Sequence, residues 1–431
     1  MNALVSFIIK SCVFVASISA CVCSADTFVW QGLNRNNVST LSAWYNQTTG
    51  ATATSLPSST DSVIVDFQNS TTESGDPYPY QIITFIRSDF TWGDTIFKNI
   101  NTIGDSTTVL NKFITQGPAY RETSFNSLKL EASVNPSLLW LCGGDSSTPA
   151  KVTVVDSVYV GSASDSADMT ANLYFGGNGN QGAGSSGGAI GPVSSVNIGA
   201  STYVYGNSAI RFNANNTGSI DSPAVEIKGF VNMISLNEQT PTLSLTYRTY
   251  GSLSNKNTYI KIGGLNGTGT IQNELSSGFT NFITILDITT DSTTDAKFSE
   301  TFLQSGTLGG SGAIDINKYG AGKQTLIIDN DSEISSCNVI VNGGELSLYS
   351  EINFKTLTLE NGILDIHSKD DIAGEANFNS IHLSDGMLSF GVYEENSYDK
   401  LISSGILSAN SSDILIDILI SINSYSLYFV K

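Results

Sequence analysis

Five cysteines, two histidines, nine prolines and twenty lysines and arginines are all that this 431-residue chain has of the residues that usually carry metal sites, catalysis, rigid linkers and polyanion binding. Three of the cysteines lie within the first 23 residues, leaving Cys142 and Cys337. Two thiols cannot staple a chain of this length, so its stability has to come from a core. They read as buried small residues, with a disulfide as the alternative in an oxidising compartment. No metal-ligand spacing involves them, and none is expected elsewhere. The net charge of −19 and the absence of clustered Lys and Arg exclude nucleic acid as a partner. Charged residues make up only 14% of the chain, and Ile, Val, Thr, Tyr and Phe are abundant, which excludes disorder and points to pleated sheet.

What is present begins with an export signal over 1–25. Lys10 precedes the apolar run Ser11–Ala20, and the first acid is Asp26. That run is too short to span a bilayer. Cleavage after Ala25 is one reading. The other takes Ile18-Ser-Ala-Cys21 as a lipobox, which would leave Cys21 as a lipid anchor at the mature N-terminus. The mature chain carries no segment long enough for a transmembrane helix, since Ile414–Ile422 is short and contains Asp417. The expected location is secreted or at the cell surface, including association with an outer membrane.

After residue 26 helical periodicity is almost absent. Short runs alternate apolar and polar residues between Gly, Asn, Asp and Ser, as in Val152–Val160, Leu243–Tyr247 and Tyr259–Ile262. Three ten-residue blocks superimpose without gaps: Val339–Leu348 (VIVNGGELSL), Leu357–Ile366 (LTLENGILDI) and Ile381–Phe390 (IHLSDGMLSF). Their starts lie 18 and 24 residues apart, and Val196–Tyr205 reads as a degenerate fourth copy with Ser201 in place of the glycine. A period near 20 marks a solenoid in which each coil adds a short strand to each face. Glycines 344, 362 and 386 would then turn the chain with positive φ. At about 20 to 25 residues and about 4.8 Å per coil, the rod would be on the order of 80 to 95 Å long. Asn-Gly and Asp-Gly between alternating runs are equally hairpin signals, so an antiparallel sandwich or meander stands beside the solenoid.

A resemblance favours the solenoid. Lys318, Gly320, Gly322, Leu326, Val341, Gly344 and Leu346 occupy the positions of the autotransporter-associated β-strand repeat, roughly K-x-G-x-G-x-x-x-L, a spacer, then T-x-V-x-x-G-x-L. Gly264–Ile271 is similar to the segment preceding such repeats, and the Trp30 and Trp44 region resembles the start of secreted proteins that carry them. The resemblance is good over 263–366 and suggestive at 26–67 and 381–417. It implies an all-β, right-handed parallel β-helix. It also implies a passenger-like role at the bacterial surface, structural or adhesive, with surface glycans or a host or neighbouring cell surface as partners. It does not extend to a translocator, because the residues after 390 supply two or three strands where an outer-membrane barrel needs at least about 8. The expected organisation is a signal peptide at 1–25, an irregular N-terminal β cap region at 26–150, and a solenoid at 151–431 with a Gly-rich loop at 176–191.

No motif outweighs its ordinary reading, so no catalytic, cofactor or metal residues are expected. Gly177-x-Gly-x-x-Gly182 lacks a following helix, and Gly320–Thr325 lacks the first Gly and the Ser or Thr of a P-loop. His367 and His382 alternate with apolar residues, hence face solvent, and Asp365 with His367 would still need a nucleophile. Asp329–Glu333 reads as a solvated turn before a calcium loop. Trp30 and Trp44 read as an end cap before a sugar-stacking platform. The competing function is a carbohydrate-active β-helix enzyme, a lyase or hydrolase, or a glycan-binding protein. An enzyme would gather acids and bases on one face of adjacent coils.

Overall fold

A computed structural model describes residues 25–31, 38–66, 82–86, 89–98, 112–116, 122–134, 136–143, 150–176, 193–214, 219, 221–248, 257–275, 282–293, 295–303, 312–329, 332, 335–350, 352–366, 373–394, 397–409 and 414–420. The signal region, most of the Gly-rich loop and His367 lie outside them. Among the described residues the protein is all-β, with 31 strands in one large, mainly parallel sheet and a single 3-10 turn at Leu41–Ala43. No helix there is long and apolar enough to cross a membrane.

The order of this sheet is set by register. One column can be followed strand to strand through Trp30, Val65, Phe97, Leu130, Val160, Val204, Met233, Gly267, Phe298, Leu326, Leu348, Ile366, Phe390 and Ile418. All fourteen rungs are parallel neighbours, and apart from Gly267 every one is apolar. From Trp30 to Ile366 the apolar members are buried. Successive rungs are 28 to 44 residues apart as far as Leu326, then 22, 18, 24 and 28 apart.

A second column runs through Trp92, Phe125, Val154, Ile198, Ile227, Ile262, Ile288, Lys318, Val341, Leu359, Leu383 and Ala409. A third runs through Leu139, Leu173, Ile210, Leu243, Ile271 and Phe302. Coils that contribute a strand to the third column need about 30 residues. Beyond it, two strands per coil suffice, which is why the gap-free blocks appear only near the C-terminus. At about 4.8 Å between paired strands, the fourteen rungs of the first column extend on the order of 60 to 65 Å.

The hairpin alternative fails in the three blocks. Strand Asn338–Val341 does not fold back on Glu345–Ser350; it pairs in parallel with Asn353–Leu359, while Glu345–Ser350 pairs with Ile363–Ile366. Val339, Leu357 and Ile381 share one register position, and Leu346, Leu364 and Leu388 another. Gly344, Gly362 and Gly386 sit at the corner with φ of +59°, +128° and +115°. A Cβ on Gly362 would lie 2.9 Å from the Gly344 carbonyl oxygen, and one on Gly386 would lie 2.6 Å from that of Gly362. The block at 196–205 departs from this pattern. Val204 takes the inward position and Tyr203 and Tyr205 face out, because inward Thr202 follows inward Ile198 by four positions, where Leu346 follows Val341 by five. A turn one residue shorter moves every following side chain to the other face.

At the first rung the strand Thr27–Trp30 pairs on its other edge with the antiparallel strand Trp44–Asn46, which pairs in turn with Ala51–Thr52. Trp30, Trp44 and Trp92 meet edge to face at 5.0 and 5.3 Å, all buried, and the Trp44 indole donates to the Val38 carbonyl at 2.8 Å. Buried rings cannot offer a sugar a stacking surface. The columns cross residue 150 without interruption, from Leu130 to Val160.

Candidate functional site

Outward positions form columns as regular as the inward ones. Ile340, Thr358, His382 and Ser408 share one, and Thr325, Ser347, Asp365 and Ser389 another. His382 meets the Ser408 hydroxyl through Nδ1 at 2.6 Å, and Ser347 donates its hydroxyl to Asp365. Asp365 lies 4.0 Å from Lys323, which makes its closer ion pair with Glu345 at 2.6 Å.

Three further ion pairs join neighbouring rungs in the same way: Lys151 with Glu122 at 3.0 Å, Lys261 with Glu226 at 3.5 Å and Lys98 with Asp66 at 3.4 Å. They are dispersed over different faces rather than gathered on one. The first two, exposed on both sides, contribute at most about 1 kcal/mol each. Arg211 is different. Half-buried beside Tyr174, it donates to Asn172 at 2.8 Å and to Glu274 at 2.7 Å, residues 39 and 63 positions away. Trp140 stacks on Tyr174 at 3.9 Å, and burial pushes the Tyr174 phenol up to about 12. This cluster is a staple across coils.

Lys318, Gln324 and Asp287 are among the polar side chains fully buried in or beside the inward columns. Lys318 replaces an aliphatic residue between Ile288 and Val341, and its ammonium donates to the carbonyls of Tyr319, Gly320 and Gly343, at 2.6, 3.1 and 3.2 Å. Burial pulls its pKa down to about 8, against an opposing pull from Glu345. Gln324 bridges coils, its amide donating to Leu265 and Ala296 carbonyls and accepting from the Leu265 N–H. Asp287 accepts from Asn317 at 2.8 Å, while its Oδ2 and the Asn317 Oδ1 have no donor. Burial raises the Asp287 pKa; the Asn317 bond and Lys261 oppose it. The turn Gly320–Thr325 is thus a strand-to-strand corner with Lys318 inside it, and no helix follows to receive a phosphate.

Cys337 is a free, buried thiol whose pKa burial pushes well up, and the Cys142 side chain lies outside the described residues. In the Asp329–Glu333 turn, Asp329 accepts the hydroxyls of Thr301 and Ser332, each at 2.8 Å; Asn330, Asp331 and Glu333 are outside the description. Among the described residues no three His, Cys, Asp or Glu side chains converge as a metal site.

A cleft of about 350 Å³ opens across four successive rungs, lined by Phe282, Ile283, Gly312, Ala313, Asp315, Ser336, Asn338 and Lys355. Asp315 occupies the register position after Tyr259 and Ile285. Its carboxylate accepts from the Asn338 backbone at 2.9 Å and from the Asn338 amide at 3.0 and 3.1 Å. Burial raises its pKa, while the Asn338 bonds and Lys355 oppose the rise. No sequence motif marked Asp315, Ser336 or Lys355. They stand about one coil apart in the chain, and only the fold brings them together.

Comparison of the chain with models of protein families, with curated proteins and with solved structures finds no match.

Proposed function

We propose that the chain is an exported structural or adhesive surface protein, its strands wound as a right-handed parallel β-helix, in the manner of an autotransporter passenger. The observation that carries this reading is the unbroken column from Trp30 to Phe390, with apolar residues facing in and short-range ion pairs dispersed outside. Such an arrangement supports length and stiffness and concentrates no catalytic pair. The handedness follows from the strong preference of parallel crossover connections for the right hand. The apolar run behind Lys10 supports export.

The test has two arms. In cells expressing the full chain, externally added protease should remove it from intact cells or it should be found in the medium. The purified mature chain should release no reducing or unsaturated ends from a polysaccharide panel. A turnover abolished by changing His367 and His382 together to alanine would replace this reading with the carbohydrate-active enzyme.

A further inference from the structure

The cleft beside Asp315 has the chemistry of a sugar subsite. A pyranose ring presents an apolar C–H face and a rim of hydroxyls, each able to donate and accept. The cleft presents an apolar wall, Ile283 and Ala313, and four polar side chains, Asp315, Ser336, Asn338 and Lys355. Asp315 is already fixed by Asn338, which donates from both its backbone and its side-chain amide. A carboxylate can accept about four bonds, so one acceptor position is left for a ligand hydroxyl, on a group that needs no reorientation to use it. Lys355 supplies an exposed ammonium two rungs away, and its backbone N–H is held by the Cys337 carbonyl at 2.9 Å. The volume is within the range of small-ligand sites, roughly 300 to 1,000 Å³.

We propose that this cleft binds one pyranose unit of a glycan, with Asp315 accepting from a ring hydroxyl and Lys355 donating to a ring oxygen or a uronate carboxylate. The inference deepens the adhesive reading and rests on it for its biological sense. The binding itself does not depend on the length of the rod. No bond is made or broken: the site holds a sugar and a single half-buried carboxylate orients it.

The experiment is saturation-transfer NMR and titration of the full mature chain with methyl α-glucopyranoside, methyl β-galactopyranoside, N-acetylglucosamine and glucuronic acid. At least one should receive saturation from the wild-type protein. Lys355→Ala, which removes an exposed side chain, and Ser336→Phe, which fills the cleft, should each weaken that sugar roughly tenfold or more, the worth of a hydrogen bond to a charged group. Asp315→Asn, which keeps an acceptor for Asn338, should do the same without moving the thermal midpoint. Absence of binding by all four sugars overturns the proposal, as does binding to Ser336→Phe at the wild-type level. Failure of the rod reading would show in distances between rungs, which this titration does not touch.

Discussion

Lys318 is the residue whose energetics are least like those of its neighbours. In an otherwise apolar column it trades side-chain burial for three bonds to corner carbonyls. Its ammonium titrates near 8 in the folded chain against an ordinary value of 10.5. Between these values the unfolded chain holds more protons, so stability should rise as pH rises from about 8 to about 10.5. Lys318→Met should lack this rise, and the comparison by urea unfolding isolates it from tyrosine titration. Asp287 has the opposite sign. Its raised pKa means that stability is lost as pH climbs through the folded value, and two orphan oxygens add to the cost. Asp287→Asn can pair with Asn317 in both directions and should gain about 1 to 2 kcal/mol at neutral pH, a gain that shrinks in acid. Equal stability of variant and wild type at pH 7 would contradict this. Lys318 was legible only as one letter of a repeat pattern. That it points inward to hold the corner follows from its register with Ile288 and Val341, which pattern alone does not supply.

At the scale of the strand and its turn, the glycine corner and the leucine column make separable predictions. Gly362→Ala places a Cβ against the Gly344 carbonyl in a conformation unfavourable to L-residues, and should cost about 1 to 3 kcal/mol in thermal or urea unfolding. Leu364→Asp buries a charge between Leu346 and Leu388 and should cost several kcal/mol, while Ser389→Asp on the outward column should cost little. Equal midpoints for the two aspartate variants would reverse the faces. The inward and outward assignments of the last blocks were readable because those coils are two-stranded and nearly equal in length. The block at 196–205 misled for a physical reason: a turn shortened by one residue inverts the alternation. Asn-Gly chemistry was likewise ambiguous, since the same positive φ serves a hairpin or a corner between faces. Which one forms is decided by the next coil, not by the turn.

For the whole molecule the central claim is that rungs stack in chain order without folding back. The outward positions Lys129, Tyr159, Tyr203, Asn232 and Asn266 continue through Lys297, Thr325, Ser347, Asp365 and Ser389. Spin labels on this line turn the claim into a ruler. With one label at Ser389, second labels at Lys297, Tyr203 and Lys129 stand four, seven and nine rungs away. Double electron–electron resonance should then give about 19, 34 and 43 Å, increasing by about 4.8 Å per rung. A Lys129 to Ser389 distance shorter than that from Tyr203 to Ser389 would show a chain that returns on itself, and the stacked rod would be wrong.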